Sequence, residues 1–454
     1  MQLLVSPGAL SGVIPAIPSK SYAHRLLIAA ALSAPSATNA PRLVTYTEGS
    51  EDISATCRVL RSLGACVEEL PGIGARVTPI DRAHLPDHPE LDCGESGTTL
   101  RYILPIVAAL GCGAVFLGHG RLPQRPLEPL SGELKRHGIK LEGEGNMPLR
   151  LSGALPAGDY TLPGDVSSQF IGGLLIALTL TPGTSTLTVT KRLESAAYVR
   201  MTLEVLEHAG VRLAETQSRE HLPVWHLEGV KALSLPDEGA ALAVEGDWSN
   251  AAFWLCAGAL GHLGTSVTVT GLNTSSLQGD RHVLDVLEKF GATVLREDRS
   301  VTVKPTQEGL RGCTVDVSQI PDLLPILAVT AAGAKGTTTF TNAARLRIKE
   351  SDRLATTSTL LSTLSVDNEE LPEGLIVRGH GFTPSNAPKT LSECTVSGAG
   401  DHRIVMAAAV AATAGFTGNT HTLRITGAQA CAKSYPAFPR DLARLGGKAQ
   451  IEKD

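Results

Sequence analysis

Cationic side chains in this sequence gather beside glycine, proline, serine and aspartate. PSKSYAHR carries Lys20, Ser21 and Arg25, GRLPQRP carries Arg121 and Arg125, and RLRIKESDR carries Arg345, Arg347, Lys349 and Arg353. GDHR adds Arg403 and CAKSYP adds Lys433. Guanidinium forks grip oxyanions through two parallel hydrogen bonds and an ammonium acts as a mobile point charge, so this inventory suits ligands rich in phosphate and carboxylate. Two hydroxyl clusters, GESGTTLR with Ser96, Thr98 and Thr99, and GDVSSQF with Ser167, Ser168 and Gln169, stand where a strand turns into an apolar run. Hydroxyls and free N–H groups at a helix start either cap the helix or bind an anion.

Acids that could exchange protons are fewer. Asp322 in SQIPDLLPI and Glu350 in IKESDR sit in largely apolar or cationic surroundings, where a carboxylate must cap, pair or do chemistry to offset its desolvation. For Asp322, capping and chemistry stand as equal readings. Asp52, Asp247 and Asp401 also open apolar runs, and for them helix capping is the expectation. The sequence has no G-x-x-x-x-G-K-[ST] loop, and its GHG and GAG fragments lack a third glycine, so nucleotide sites have no support. Neither an H-x-x-x-H helix nor a Cys/His cluster occurs, so no metal and no cofactor is expected.

Whatever positions these groups is a repeat. LRSLGACVE, LKRHGIKLE, LEHAGVRLA, LEKFGATVL and LARLGGKAQI place glycine at 64, 138, 210, 291 and 446, and a sixth copy, LLSTLSVDNE, has Ser365 there. The copies recur every 72 to 81 residues and span the 454-residue chain. In each, a helix with apolar residues at i and i+3 ends, glycine takes the left-handed position without a Cβ clash, and an alternating strand follows. Five Ala/Leu-rich runs predict second helices: ESGTTLRYILPIVAAL, SSQFIGGLLIALTL, WSNAAFWLCAGAL, IPDLLPILAVTAAG and DHRIVMAAAVAAT. They are apolar nearly all round and should be buried. Strand-rich TSTLTVT, TSVTVTG and TTTFTNA follow three of them, so the unit is two helices on a small sheet. SGVIPAIPSKS and LSLPDEGAALAVEGDWS are the punctuated segments where the chain would pass between domains.

Composition limits the partners. Forty basic against 45 acidic side chains give a net charge of −5, which argues against gripping nucleic acid or anionic lipid, and with it against RNA-end processing. The run Tyr102 to Leu117 is shorter than a bilayer span and is broken by Pro105, Gly111 and Gly113, so no membrane segment is expected. Eight scattered cysteines without a C-x-x-C pair, and a start with no basic or apolar leader, read as a reduced cytoplasmic protein.

In order and spacing, the blocks PSKSYAHR, ESGTTLR, GRLPQRP, VSSQF, IPDLLPILA, RIKESDR, GDHR and CAKSYP resemble the 5-enolpyruvylshikimate-3-phosphate (EPSP) synthase family of enolpyruvyl transferases. The resemblance implies an α/β fold of two similar domains, each built from three βαβαββ units around buried helices. Here these would be 1–17 plus 243–454 and 18–242, with the active site in the cleft. It implies transfer of the enolpyruvyl group of phosphoenolpyruvate to the 5-hydroxyl of shikimate 3-phosphate, with no metal or organic cofactor, by a cytoplasmic monomer.

Carried over by position, Lys20, Ser21, Arg25, Ser167, Ser168, Gln169, Ser195, Tyr198, Asp322 and Lys349 would hold shikimate 3-phosphate. Lys20, Gly97, Arg125, Gln169, Arg353, Arg403 and Lys433 would hold phosphoenolpyruvate. For the chemistry, Asp322 is assigned to the hydroxyl, Glu350 to the methylene and Lys20 to the leaving phosphate. Two positions depart from the family pattern: Glu95 stands where asparagine is usual, and Arg345 stands four residues before Lys349 where asparagine is often found. Gly97, which admits the inhibitor glyphosate in family members, is kept. The nearest alternative, UDP-N-acetylglucosamine enolpyruvyl transferase, would carry a reactive cysteine that GHGRLPQRP lacks. A catalytically inactive binding homologue is the other alternative.

Overall fold

The computed structural model describes residues 1–34, 40–211, 213–230, 233–235, 241–381, 394–416 and 421–453. The chain divides into two compact units, Met1–Ile17 with Glu245–Asp454, and Pro18–Val244. The part of LSLPDEGAALAVEGDWS at 236–240 lies outside the described residues. The second passage falls two residues beyond the sequence reading because Leu242–Ala243 pairs in parallel with Val44 and Thr45 of the Pro18–Val244 unit.

Every repeat becomes one open four-stranded sheet, and there are six among the described residues. In the Glu90–Ser152 repeat, strand Glu90–Asp92 runs into helix Gly97–Leu110 and strand Ala114–Leu117. Helix Leu130–Arg136 and the hairpin Lys140–Glu142, Leu149–Ser152 complete it. The first strand pairs in parallel with the second, and the hairpin closes on antiparallel. The other five sheets repeat this arrangement, and none closes into a barrel. Three of them borrow strands from far along the chain: Gln2–Ser6 lies between Leu423–Thr426 and Lys448–Glu452, Gly12–Pro15 pairs with Val267–Thr270, and Leu242–Ala243 pairs with Arg42–Thr45.

The repeated glycines do what their position predicts. Gly64, Gly138, Gly210, Gly291 and Gly446 all have φ between 74° and 98°. Ser365, the odd copy, holds the same left-handed turn at φ 59°, a conformation that costs a side chain about 1 kcal/mol. Tertiary packing keeps the turn even where its preferred residue is missing.

All residues of the helices Trp248–Ala259, Leu324–Ala332 and His402–Thr413 are buried, as their all-round apolar character predicts. In the other unit Gly97–Leu110 and Ser168–Leu178 are almost as deeply buried, and a sixth such helix, Lys20–Leu32, completes the set. Nothing in the sequence sets this last helix beside the other five, because its first turn, Lys-Ser-Tyr, hides the apolar run behind it. No helix among the described residues is long and apolar enough to cross a membrane.

Candidate active site

In the Glu245–Asp454 part of the chain Asp322, Lys349, Glu350, Arg353, Asp401 and Arg403 form one cluster. Arg353 opens helix Arg353–Thr363, is 1% exposed, and reaches three acids. Its Nε donates to Asp401 Oδ2 at 2.8 Å, Nη1 to Asp322 Oδ1 at 2.6 Å and Nη2 to Glu350 Oε2 at 2.7 Å. Asp322 also faces Lys349 Nζ at 3.2 Å and Arg403 Nη2 at 3.5 Å, and its carbonyl accepts from Arg403 Nη1 at 3.2 Å. Asp322, Glu350 and Lys349 keep 20%, 22% and 25% of their side chains exposed, so a ligand can reach them, whereas Asp401 is fully enclosed.

Of the two readings of Asp322, capping is the one its position does not support. It lies in the single 3₁₀ turn Pro321–Leu323 and caps nothing. Burial pushes its carboxyl up, but Lys349, Arg403 and Arg353 outweigh burial and hold it well below the ordinary aspartate range. Burial likewise lowers the Lys349 ammonium, with Asp322 opposing it. Asp247 and Asp401 cap as expected, accepting from Asn250 N and Arg403 N. Asp401 does more: its two oxygens also take Arg353 and the Ser351 hydroxyl, which fixes the guanidinium from behind. Sequence reading saw only its cap, since nothing near GDHR announces Arg353 as a partner.

Of the remaining predicted residues in this unit, Lys433 donates from Nζ to the Gly400 carbonyl at 2.9 Å, within reach of the Asp401 turn. Arg345 is nearly buried and donates to the Ser318 carbonyl at 2.8 Å, on the segment that leads to Asp322.

In the Pro18–Val244 unit one ion pair, Lys20 with Asp52, stands beside a set built mostly of neutral groups. Helix Lys20–Leu32 is capped by Ser19 and begins at Lys20, whose Nζ meets Asp52 at 2.8 Å. Here the expectation for Asp52 is corrected: Ser50 caps helix Glu51–Ser62, and Asp52, in its first turn, pairs with Lys20. Arg25, 2% exposed, gathers the predicted phosphate site from within. It donates to the carbonyls of Ser21 at 2.6 Å and Tyr198 at 2.7 Å and to the Thr202 hydroxyl at 2.9 Å, and it lies 5.2 Å from the Tyr102 ring centroid. Ser195 precedes helix Ala196–His208 in a left-handed conformation, φ 51°, without capping it, a strained backbone of the kind that collects at binding sites.

Ser167 and Ser96 both cap, accepting from Gln169 N at 3.3 Å and Thr99 N at 3.2 Å. Ser168 is buried in the first turn behind Ser167. The Gln169 side chain donates from Nε2 to Thr98 Oγ1 at 2.7 Å. Arg125 lies over Gly97, where a Cβ would come 2.5 Å from Nη1, so the missing side chain is what lets the guanidinium approach the helix start. The Glu95 carboxylate packs against Gly120 in the neighbouring turn.

Beneath these residues a buried chain runs from His24 Nδ1 to Thr56 Oγ1 at 2.7 Å, to Thr99 Oγ1 at 2.7 Å and to Ser96 Oγ at 2.8 Å. Thr99 donates to Ser96, so Thr56 donates to Thr99 and the proton of His24 is on Nδ1. Burial, then the nearby Lys20 and Arg25, lower the His24 pKa well below the usual value, so the ring is neutral. Among the described residues no group of three His, Cys, Asp or Glu side chains is arranged to hold a metal.

Each unit therefore carries its own set of cationic and hydroxyl side chains, and in the Glu245–Asp454 unit the partly exposed Asp322 carboxylate is held ionised. Comparison with known proteins identifies the family. The family described as EPSP synthase (3-phosphoshikimate 1-carboxyvinyltransferase) matches residues 5–442. A 3-phosphoshikimate 1-carboxyvinyltransferase of Clostridium kluyveri is 38% identical over 445 residues, covering 98% of this chain and 97% of that protein. One from Clostridium acetobutylicum is 37% identical over 446 residues, with the same coverage. Among solved structures, an EPSP synthase from Acinetobacter baumannii superposes with a TM-score of 0.77 at 24% identity over 100% of both chains. The enolpyruvyl transferase NikO from Streptomyces tendae gives 0.74 at 18% identity, covering 99% of this chain and 98% of that one. The chain belongs to the EPSP synthase family.

Proposed function

We propose that this chain transfers the 1-carboxyvinyl group of phosphoenolpyruvate to the 5-hydroxyl of shikimate 3-phosphate and releases phosphate. Both substrates carry phosphate and carboxylate, which accounts for clustered cations in a chain of net charge −5. The observation that carries the reading is Asp322, a reachable carboxylate facing Lys349, Arg353 and Arg403.

In the addition step the 5-oxygen bonds to C2 of phosphoenolpyruvate, its proton leaves to a base, and C3 takes a proton from an acid. In the elimination step C3 gives that proton back, the C2–O bond to phosphate breaks and phosphate departs. Asp322 is the base for the hydroxyl, Glu350 exchanges the methylene proton, and Lys20 protonates or stabilises the leaving phosphate. A carboxylate whose affinity for protons is so low is a weak base. Substrate anions that engage Lys349, Arg353 and Arg403 draw these charges from Asp322 and raise its proton affinity when the hydroxyl is in place.

Lys20, Ser21, Arg25, Ser167, Ser168, Gln169, Ser195, Tyr198, Asp322 and Lys349 hold shikimate 3-phosphate in this reading. Lys20, Gly97, Arg125, Gln169, Arg353, Arg403 and Lys433 hold phosphoenolpyruvate. Eight free cysteines suit a reducing cytoplasm, and a monomer suffices because one chain carries every assigned residue. The experiment is phosphate release on mixing the protein with phosphoenolpyruvate and shikimate 3-phosphate, with UDP-N-acetylglucosamine as the competing acceptor. Release that depends on shikimate 3-phosphate is expected. Release with the sugar nucleotide alone, or none with either, overturns the assignment.

A further inference from the structure

The helices Gly97–Leu110 and Ser168–Leu178 touch backbone to backbone. A Cβ on Gly173 would lie 2.5 Å from the Arg101 carbonyl oxygen and 3.0 Å from Tyr102 Cα, so only glycine permits the crossing. The approach brings Arg101 against the start of the second helix. Its side chain is 5% exposed, and Cζ lies 5.2 Å from the Phe170 ring centroid. Nη1 donates to Gln169 Oε1 at 2.8 Å, and Nη2 donates to the Pro126 carbonyl at 3.3 Å.

A primary amide is nearly symmetric in shape, so a glutamine in a binding site presents either its oxygen or its NH₂ unless a neighbour decides. A guanidinium has donors only, so whatever it touches must be the oxygen. Arg101 therefore turns Gln169 Oε1 inward and Nε2 outward, and Thr98 takes one Nε2 hydrogen at 2.7 Å. The other Nε2 hydrogen is left to a ligand oxygen. Flipped, the same side chain would present a carbonyl to anionic substrates and repel them.

We infer that Arg101 is a positioning residue for substrate binding: it sets the orientation of the Gln169 amide so that a donor, never an acceptor, faces the phosphate- and carboxylate-bearing substrates. The inference rests on the reading of Gln169 as a substrate contact. The fork is needed for the task, because one nitrogen anchors on Pro126 while the other holds Gln169, and an ammonium has no such fixed pair of directions.

A double-mutant cycle tests it, with KM and kcat for shikimate 3-phosphate and phosphoenolpyruvate measured on wild type, Arg101→Met, Gln169→Ala and the double variant, and thermal unfolding run alongside. Arg101→Met, which keeps the bulk on Phe170, is expected to raise KM about tenfold with a smaller change in kcat. In the Gln169→Ala background the same substitution is expected to change KM less than about twofold, since no amide remains to orient. Equal effects in both backgrounds would show that Arg101 only supports the helices, and would overturn the inference while leaving Gln169 a substrate contact. If Gln169→Ala alone leaves both KM values unchanged, the site reading at Gln169 fails, and the inference with it. Arg101→Leu, which likewise removes every donor, replaces Arg101→Met should that variant fold poorly, with the same pattern expected.

Discussion

Two sets of candidate site residues, one in each unit, solve the same problem by different means. Around Arg353, charge answers charge: one buried guanidinium serves Asp322, Glu350 and Asp401, and Asp322 in turn serves Lys349 and Arg403. Around Arg25, dipoles answer charge: two carbonyls, a hydroxyl and an aromatic face surround the guanidinium, and the adjoining chain runs through His24, Thr56, Thr99 and Ser96. A network of ions stores strong interactions that a charged substrate can redistribute, which suits proton transfer. One of neutral dipoles holds its shape whatever the substrate charge, which suits recognition.

The largest effect expected from this contrast lies in the support of the ionic set. Asp401→Ala strands Arg353 as a buried charge missing its main partner, and should destabilise the protein by about 3–5 kcal/mol in denaturant unfolding. The matching removal of a neutral link, Thr56→Val, should cost no more than about 1–3 kcal/mol. If the two losses are equal, the distinction between the sets is wrong.

Catalysis comes next. Asp322→Asn keeps the shape and removes the charge, and should lower kcat by about 10²–10³, roughly 3–4 kcal/mol, with little change in KM. Turnover near the wild-type rate would remove Asp322 from the proton path.

Acid separates the two sets by pH. The folded-state pKa of His24 is depressed below its unfolded value near 6.5, so the unfolded chain binds a proton first, and stability falls as pH drops below about 6.5, by at most about 1.4 kcal/mol per pH unit. Asp322 and Asp401 are also depressed, from a carboxylate value near 3.9, so their contribution is complete above about pH 4 and is lost only in stronger acid. Melting curves between pH 7 and pH 5 should therefore show a slope that His24→Asn, which keeps the Nδ1-like donor, reduces. An unchanged slope would assign the acid sensitivity elsewhere.

The smallest effect sits away from both sets. Ser365→Gly relieves the one repeat that holds its left-handed turn without glycine, and should raise stability by about 0.5–1 kcal/mol with unchanged kinetics.

What could be read from the sequence was local. The repeat, the left-handed glycine after each of five helices, the caps at Ser96, Ser167, Asp247 and Asp401, and the burial of the Ala/Leu-rich helices depend on neighbours within about one helical turn. The cation inventory was legible as well, because residue type alone declares a charge. Partnership was not. Asp52 looks like a cap and pairs with Lys20, Asp401 looks like a cap and also steadies Arg353 from 48 residues away, and Arg101 ends the ESGTTLR block with no local sign of its partner Gln169, 68 residues on. Nor does any local signal place Gln2–Ser6 in a sheet with Leu423–Thr426. Helix ends, turns and patterning are decided by short-range sterics and hydrogen bonds, whereas ion pairs, borrowed strands and the direction an amide points are decided by which surfaces the tertiary packing brings within 3 Å.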